Sequence, residues 1–446
     1  MPKSHSIARS HPIQGSKLKA ALRLHFGLLS GLIAYLFGGA SAAAAEFSYP
    51  PDLPPQAAAV AAIRNAPQAK AAEAMVAAGS EERQRLEAGS YEWTTRLNSQ
   101  QRNVIRPDNQ RYHEWQGGIE RPIRLPGKAS LDSEIGAQGE ALAKVAHGDA
   151  LHETSRSLLQ TWFTWLRQSE VARQWQRQVD SLAKQQQATT RRVQLGDAPK
   201  LELMQAEAAT AQALAALEQA RLRQSVARGD LAARFPSLSL PTADGNAPAT
   251  AEPQPLEAGD WRQRLFEHNH ELGLARAESE RARLLASRAD AERLPDPTLG
   301  VHMGSDLGGN ERYAGVTLSI PLPGSARAAT ARRDAALATA SASKEAAVRA
   351  KVGAEVASLL TSAGAAYESW RRAEEAAQRI EQATALMARA YRLGEAGISD
   401  LLTAQRQANE ARLTATQARL DALEARYRVY VDAHLLWPAD NDEDEK

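Results

Sequence analysis

The chain has 446 residues, enough for two domains or two copies of one, and its 54 basic and 53 acidic side chains leave a net charge of +1. A chain so close to neutral has no overall field that would draw it to nucleic acid. It contains no cysteine, which excludes disulfides, thiolate metal sites, cysteine nucleophiles and a lipid-modified N-terminal cysteine.

The first 45 residues contain the three parts of a secretory signal. Lys17, Lys19 and Arg23 precede a short apolar stretch at 28–37, which is followed by small residues at 41–45. This order is typical of a cleaved export signal. An uncleaved membrane helix is the alternative, but the stretch is shorter than the roughly 20 residues that a spanning helix needs. We therefore predict a signal peptide at 1–45.

The remainder of the chain contains two similar copies. The segment VQLGDA at 193–198 returns as YRLGEA at 391–396, and IRLPG at 123–127 returns as IPLPG at 320–324. A period near 200 residues is too long for a solenoid unit, so it indicates a duplicated half-molecule. The predicted divisions are a first repeat at 46–236, a proline-rich linker at 237–259, a second repeat at 260–438 and an acidic tail at 439–446.

Ahead of each long helix, apolar and polar residues alternate. In the second copy the alternation runs through 298–304 and resumes at 313–320 after a Gly-Gly-Asn turn, which predicts a β-hairpin. In the first copy the candidate strands are 91–97 and 115–125, joined by a long polar loop, and Arg121 interrupts their apolar face. A half-exposed sheet on a soluble protein and a membrane barrel both fit this pattern, and the export signal favours the barrel. In the barrel the lipid-facing residues are Leu299, Val301, Met303, Val316, Leu318 and Ile320.

Two long segments without proline predict long helices. Neither 127–198 nor 324–437 contains proline, which breaks helix interiors. The stretch 328–393 is rich in strong helix formers, and at 1.5 Å per residue it would make a rod on the order of 100 Å. Apolar residues in the second copy follow the heptad spacing of a coiled coil. Each repeat is therefore predicted to end in a helical hairpin that turns at Gly196 or Gly394.

Residues with the spacing of a catalytic or metal site are scarce. His268-Asn269-His270 suggests a metal pair, but side chains at i and i+2 of a helix do not share a face. We therefore expect a surface position at a helix start. There is no glycine-rich phosphate loop, serine elbow or acid–base cluster at usable spacing. The sequence predicts no enzymatic activity, no cofactor and no metal.

Two carboxylates occupy equivalent positions at the predicted tips. Glu202 and Asp400 lie six residues beyond Gly196 and Gly394. One interpretation is that they stabilise the N-terminus of the returning helix. The other requires a symmetric oligomer, in which each carboxylate becomes a ring at the closed end of a tube.

Several motifs resemble the TolC-type outer membrane factor family. They are the doubled tip Leu-Gly-(Asp/Glu)-Ala followed by Glu202 or Asp400, Pro-Asp-Pro-Thr-Leu-Gly-Val from Pro295, and Leu-Ser-Ile-Pro-Leu-Pro-Gly from Leu318. The resemblance covers about 50–438. Within the family, 270–277 and the residues from Pro295 onward are most similar to the cobalt–zinc–cadmium resistance branch.

This resemblance implies a fold that is mainly α with a small transmembrane β part. Its two tandem repeats, each a β-hairpin plus long coiled-coil helices, would form a trimeric α/β-barrel tunnel that closes at the tips until a periplasmic adaptor and an inner-membrane pump engage. By position, the adaptor-docking residues are Leu195, Gly196, Asp197, Leu393, Gly394 and Glu395. Glu202 and Asp400 would line the aperture, and Thr403 stands where some members carry a second aperture acid.

The sequence therefore predicts a homotrimeric, passive exit duct in the bacterial outer membrane. It would contact outer membrane lipid, bind no nucleic acid and serve a tripartite efflux pump of the RND type that exports heavy-metal cations. Two alternatives belong to other classes. A periplasmic adaptor usually carries one helical hairpin within β-rich modules, whereas this chain has two equivalent hairpins. A soluble coiled-coil scaffold leaves the alternating strands and the export signal unexplained.

Overall fold

The computed structural model describes residues 49–107, 109–240, 248 and 250–437. The predicted signal peptide and acidic tail lie outside the described residues, as does part of the predicted linker. Among the helices of the described ranges, none combines the length and the apolar character needed to cross a membrane.

The two halves of the chain contain the same α-helices and strands in the same order, and the second has in addition a 3-10 helix at Leu307–Gly309 between its two strands. The first half comprises α1 (Gln56–Arg64), α2 (Pro67–Ala88), β1 (Thr94–Val104), β2 (Gln110–Pro122), α3 (Lys128–Gln194) and α4 (Lys200–Arg234). The second half comprises α5 (Trp261–Glu267), α6 (His270–Ala291), β3 (Thr298–Asp306), β4 (Glu311–Ser319), α7 (Ser325–Leu393) and α8 (Ile398–Asp432).

The duplication seen in the sequence is also present in the structure, where the matching helices of the two halves have equal or nearly equal lengths. Helices α2 and α6 have 22 residues each, α4 and α8 have 35 each, and the long helices α3 and α7 have 67 and 69. At 1.5 Å per residue each long helix is on the order of 100 Å from end to end. The fold is therefore mainly helical with one small sheet, built from two repeats.

The two hairpins join into one antiparallel sheet with the order β1-β2-β3-β4. Strand β2 of the first repeat pairs with β3 of the second, from Trp115 opposite Ser305 to Pro122 opposite Thr298. The prediction of a long polar loop between 97 and 115 was wrong, because most of those residues belong to β1 and β2. Their polar side chains suggested a loop, but the backbone ladder between the two strands satisfies their N–H and C=O groups.

The long helices pack as two hairpins, α3 with α4 and α7 with α8, and α3 also contacts α6 and α8. The predicted heptad seam of the second copy is buried or half-buried along its length. Ala377 and Tyr391 are buried on α7, while Leu420 and Leu423 are buried on α8. The Thr384 hydroxyl also donates to the carbonyl of Ala404 at 3.1 Å, which joins the two helices directly.

The largest core cluster surrounds the middle of α3, where Trp162, Phe163 and Trp165 are buried. The fully buried Asp52 accepts hydrogen bonds there. The Tyr427 hydroxyl donates to its Oδ1 at 2.9 Å, and Trp162 Nε1 donates to its backbone carbonyl at 2.9 Å. Part of the predicted linker belongs to this core, since Leu238 is buried in it.

Candidate functional site

Each long helix ends in a turn centred on a glycine. Gly196 has φ +83° and Gly394 has φ +79°, which lie in the left-handed region that glycine adopts without steric cost. The leucines that precede these glycines project into solvent, with Leu195 76% and Leu393 64% exposed. The two predicted docking tips therefore each present a glycine turn and an exposed leucine.

The hydrogen bonds of the two turns are equivalent. In the first, the N–H of Asp197 donates to the carbonyl of Arg192 at 2.7 Å; in the second, the N–H of Glu395 donates to the carbonyl of Ala390 at 2.9 Å. Each turn also has a bond from the glycine N–H to the carbonyl three residues earlier, at 3.1 Å in both. This pattern is the Schellman motif that closes helix C-termini, and it explains why the tip sequence is repeated.

A hydrogen-bonded cluster connects the two tips within the chain. The Tyr391 hydroxyl donates to Glu202 Oε2 at 3.0 Å and accepts from Arg192 Nη1 at 2.7 Å. The Arg192 guanidinium also lies 5.2 Å from the centre of the Tyr391 ring and 3.6 Å from Glu202 Oε2. Burial, and after it the bond to Glu202, raises the pKa of Tyr391, so its hydroxyl remains a donor at neutral pH.

This cluster makes the tips unequal. Val193 occupies the position in the first repeat that Tyr391 occupies in the second, so the first repeat has no matching hydroxyl. The two predicted aperture carboxylates differ accordingly. Glu202 is half-buried in the cluster, whereas Asp400 is exposed and accepts a hydrogen bond from the N–H of Gly397 at 3.4 Å. The helix-capping interpretation thus has a geometric basis at Asp400, and Glu202 instead joins two helices.

The sheet has one apolar face. The pairing places Ile119, Val301 and Val316 in one row across three strands, and Leu299 opposite Leu318 in the next. These side chains are 39–71% exposed although they are apolar. The opposite face carries polar side chains and glycines in two rows across the strands: Arg96, Gly118, His302 and Gly315 in one, and Glu120, Gly300 and Thr317 in the next. Of the predicted lipid-facing residues, Ile320 lies one position beyond β4, and the other five are within strands.

Arg121, which interrupts the apolar pattern in the sequence, lies near the end of β2. Its Nε donates to the carbonyl of Tyr91 at 2.7 Å, and its guanidinium lies 5.5 Å from the centre of the Trp93 ring. The hydrogen bond and the cation–π contact hold the guanidinium beside Tyr91 and Trp93, at the end of the strand. Arg121 therefore borders the apolar face and does not divide it.

The sheet has two edges that no strand of the described chain covers. β1 pairs with β2 alone, and β4 pairs with β3 alone. Strand edges of 11 and 9 residues expose rows of unpaired backbone N–H and C=O groups. Such edges, next to an exposed apolar face, can pair with strands of another chain.

Three histidines that are far apart in the sequence meet in the structure. His152 lies on α3, His270 is the first residue of α6, and His434 follows α8; one ring nitrogen from each lies within 4.8 Å of the other two. His270 lies at a helix start, as expected, because α5 ends at Glu267 and α6 begins at His270. It is half-buried, however, and its ring centre lies 5.3 Å from that of His152 and 4.9 Å from that of His434. No local spacing could have indicated this cluster, since its members lie on α3, at the start of α6 and after α8.

Comparisons with known proteins point to outer membrane channels. Residues 261–431 match the family model described as "Outer membrane efflux protein". The CmeC outer membrane channel of Campylobacter jejuni matches the structure with a TM-score of 0.70 and 14% identity, over 86% of this chain and 85% of that one. The Vibrio cholerae outer membrane protein VceC matches with a TM-score of 0.70 and 17% identity, over 86% and 95%.

The open-state MtrE outer membrane channel of Neisseria gonorrhoeae matches with a TM-score of 0.64 and 17% identity, over 87% of this chain and 90% of that one. A search of curated proteins by sequence gave no match. The family match spans the helices and strands of the second repeat, and the structural matches span both repeats. The second repeat therefore carries the sequence pattern of outer membrane efflux proteins, and the chain has the fold of outer membrane channels.

Proposed function

We propose that the chain is the channel subunit of a tripartite efflux pump, and that three copies form a passive exit duct through the bacterial outer membrane. The observation that carries this proposal is the sheet, which exposes an apolar face and whose outer edges, on β1 and β4, have no partner strand within the described residues. Three such sheets joined edge to edge would satisfy every strand edge and turn the apolar faces to lipid. A soluble scaffold would leave both the face and the edges in water.

The helices would continue the duct across the periplasm. Each long helix starts within a few residues of a hairpin and ends at a glycine turn on the order of 100 Å away. The exposed tip residues Leu195, Gly196 and Asp197, with their counterparts Leu393, Gly394 and Glu395, would dock a periplasmic adaptor. The inner-membrane pump, which supplies the energy, would act through that adaptor.

At the tips, Glu202 and Asp400 would line the aperture. The bond from Tyr391 to Glu202 holds the hairpins of the two repeats together, which suits a closed state. Asp400 is exposed, so three copies would place a carboxylate ring near the tube end.

The substitution Asp400→Asn tests this ring, because it keeps an oxygen near the N–H of Gly397 and removes the charge. It should lower cation selectivity in planar bilayers. Unchanged selectivity would leave Asp400 with the capping role alone.

We also propose that the pump is of the RND type and that its cargo is heavy-metal cations. This rests on the similarity of 270–277 and of the strand opening at Pro295 to the cobalt–zinc–cadmium resistance branch. Deleting the gene should lower the tolerance of the source cells for cobalt, zinc or cadmium. Unchanged tolerance for all three, with lost tolerance for organic toxicants, would reject the metal cargo while leaving the duct intact.

The proposed location and assembly can be tested together. The full-length chain, with its first 45 residues, is produced in a Gram-negative host, and the inner and outer membranes are separated by density. We expect the protein in the outer membrane fraction and, after detergent extraction, a mass of three protomers by light scattering. A soluble periplasmic monomer would contradict both parts of the proposal.

A further inference from the structure

We propose that His152, His270 and His434 bind one divalent transition-metal ion, with Zn²⁺ as the ion that best suits the site. One ring nitrogen of each lies within 4.8 Å of the other two, and the ring centres of His270 and His434 are 4.9 Å apart. Imidazole is a preferred ligand of zinc, copper and nickel ions, and three histidines with an open fourth position form a common zinc geometry.

The spacing is close to that of an assembled site. Zn–N bonds of about 2.0–2.1 Å in a tetrahedron place neighbouring ligand atoms roughly 3.4 Å apart. Contraction from the observed upper limit of 4.8 Å requires shifts on the order of 1 Å, which side-chain rotation provides. Because His152 and His270 line an open cavity, their rings have room to make this adjustment.

The backbone at His434 supports a role for its side chain. His434 has φ +58°, and its N–H donates to the carbonyl of Val431 at 3.0 Å while the N–H of Leu435 donates to that of Tyr430 at 2.9 Å. This is the Schellman turn again, with histidine at the position that Gly196 and Gly394 occupy in the tips. A histidine there bears a conformational cost that glycine avoids, and the turn brings its ring to the other two.

His152 has the outer partner that metal-bound histidines usually have. Its Nε2 lies 3.2 Å from Asp432 Oδ1, so in the proposed site Nδ1 would bind the metal. A carboxylate on the second ring nitrogen fixes the tautomer and orientation of a ligand histidine. Arg156 and Arg428 also donate to Asp432, at 2.9 Å and 3.0 Å, so the carboxylate is itself held in place.

A cavity of about 640 Å³ gives access to the site. His152 and His270 line it, together with His268 and the carboxylates Asp149, Glu153, Glu271 and Glu355. Asp432, Arg156, Lys351 and Arg428 also line the cavity, so five carboxylates stand against three cationic side chains and favour entry of a metal ion. The cavity also leaves room for a water molecule or His268 as the fourth ligand.

Such an ion would join three separate parts of the chain. His152 belongs to the first repeat, His270 begins α6 of the second, and His434 lies in the turn that follows α8. The ion would therefore cross-link the two repeats in the helical region, well apart from both the tips and the sheet. This inference does not depend on the proposed channel function.

The test is a titration of purified full-length protein, stripped with a chelator and dialysed, with Zn²⁺ alone and separately with Co²⁺. We expect one ion per chain, a visible Co²⁺ spectrum of tetrahedral type and a rise in Tm with Zn²⁺, because an ion that binds the folded state stabilises it. His152→Gln and His270→Gln should each weaken Zn²⁺ binding by at least about tenfold. His147→Gln, which removes another histidine of α3, is the matched control and should bind as the unchanged chain does.

His434→Gly separates the ligand role from folding. Glycine relieves the left-handed backbone, so the metal-free variant should have a Tm at least as high as that of the unchanged chain, yet it should lose the Zn²⁺-dependent rise. The proposal is overturned if the unchanged chain binds no Zn²⁺, or if His434→Gly and His270→Gln retain its affinity and Co²⁺ spectrum.

Discussion

The Tyr391 hydroxyl donates to the Glu202 carboxylate at 3.0 Å and so joins the long helix of the second repeat to the returning helix of the first. Arg192 contacts both partners, at 2.7 Å and 3.6 Å. The bond is present on one side of the chain alone, because the first repeat has Val193 at the matching position. A trimer would therefore have six contacts between neighbouring tips around its end. Three would contain the bond from Tyr391 to Glu202, and these would alternate with three that lack it.

Removing this hydroxyl should loosen the tips. A hydrogen bond to a charged group contributes about 1.5–3 kcal/mol, and Tyr391→Phe removes it while keeping the ring under Arg192. We expect a higher single-channel conductance in planar bilayers. Tyr367→Phe, on the same helix and outside the tip, is the control and should leave the conductance unchanged. Equal conductance of Tyr391→Phe and the unchanged chain would remove the role of this bond in closure.

The glycine turns allow docking to be tested without unfolding. A Cβ at Gly394 would meet no atom within 4 Å, so the cost of a side chain comes from the φ of +79° alone. Asparagine tolerates that conformation better than most residues. Gly394→Asn should therefore keep an assembled trimer and lose efflux, measured as resistance of the host. Gly364→Ala, in the open middle of α7, should keep both, and full resistance with Gly394→Asn would reject the docking role.

Adjacent residues of β4 test which face of the sheet meets lipid. Val316 is 71% exposed on the apolar face, and its neighbour Thr317 is on the polar face. A lysine facing the middle of a bilayer costs about 2–4 kcal/mol, whereas one facing a water-filled lumen costs little. We expect Val316→Lys to reduce the amount of protein in the outer membrane and Thr317→Lys to leave it unchanged. Equal tolerance of the two substitutions would reject the assignment of the faces.

Arg412 on α8 bonds to two carboxylates of α7, with Nη1 2.8 Å from Glu374 and Nη2 2.6 Å from Glu381. Burial acts to raise the pKa of Glu374, but the bonds from Arg412 outweigh it and leave that pKa below its ordinary value. The stability that ionised Glu374 contributes is therefore fully present above about pH 4.3, the pKa of an unfolded glutamate. It is lost as the pH falls through the lower pKa of Glu374 in the folded state.

Arg412→Gln should lower the free energy of unfolding by roughly 1–2 kcal/mol at pH 7, and by less below pH 4. Thermal unfolding of the variant and of the unchanged chain, measured at several pH values from 7 to 3, gives this comparison. Arg371→Gln breaks an exposed pair with Glu368 and should cost less at every pH. Equal losses for the two variants would contradict the special contribution of Arg412. The first repeat has Leu214 at the matching position, so the hairpins are again unequal.

The elements that sequence could predict are those set by local rules. The heptad spacing and the absence of proline predicted α7 and α8. The repeated Leu-Gly predicted two turns, and both have the same pattern of hydrogen bonds. The alternation of Leu299, Val301 and Met303 predicted β3 because a strand with one apolar face has a period of two. Those patterns lie within single elements.

What the sequence could not predict depends on pairs of distant residues. Glu202 and Tyr391 are 189 positions apart, and the three histidines come from three distant parts of the chain. The outer parts of β1 and β2 lack alternation, and their strand structure follows from the ladder between them, for example Gln101 opposite His113. Such contacts are set by how helices and strands pack, which local sequence patterns do not encode.

The central claim is that the open strand edges pair between copies of the chain, and a cysteine cross-link tests it most directly. Because the chain has no cysteine, one can be placed on β1 (Thr95, Leu97 or Ser99) and one on β4 (Ala314, Val316 or Leu318) in every combination. Oxidation of isolated outer membranes should give, for at least one combination, a covalent species of three protomers on a denaturing gel, with each single-cysteine chain yielding no trimer. Monomers alone from every combination would contradict the shared sheet and with it the proposed duct.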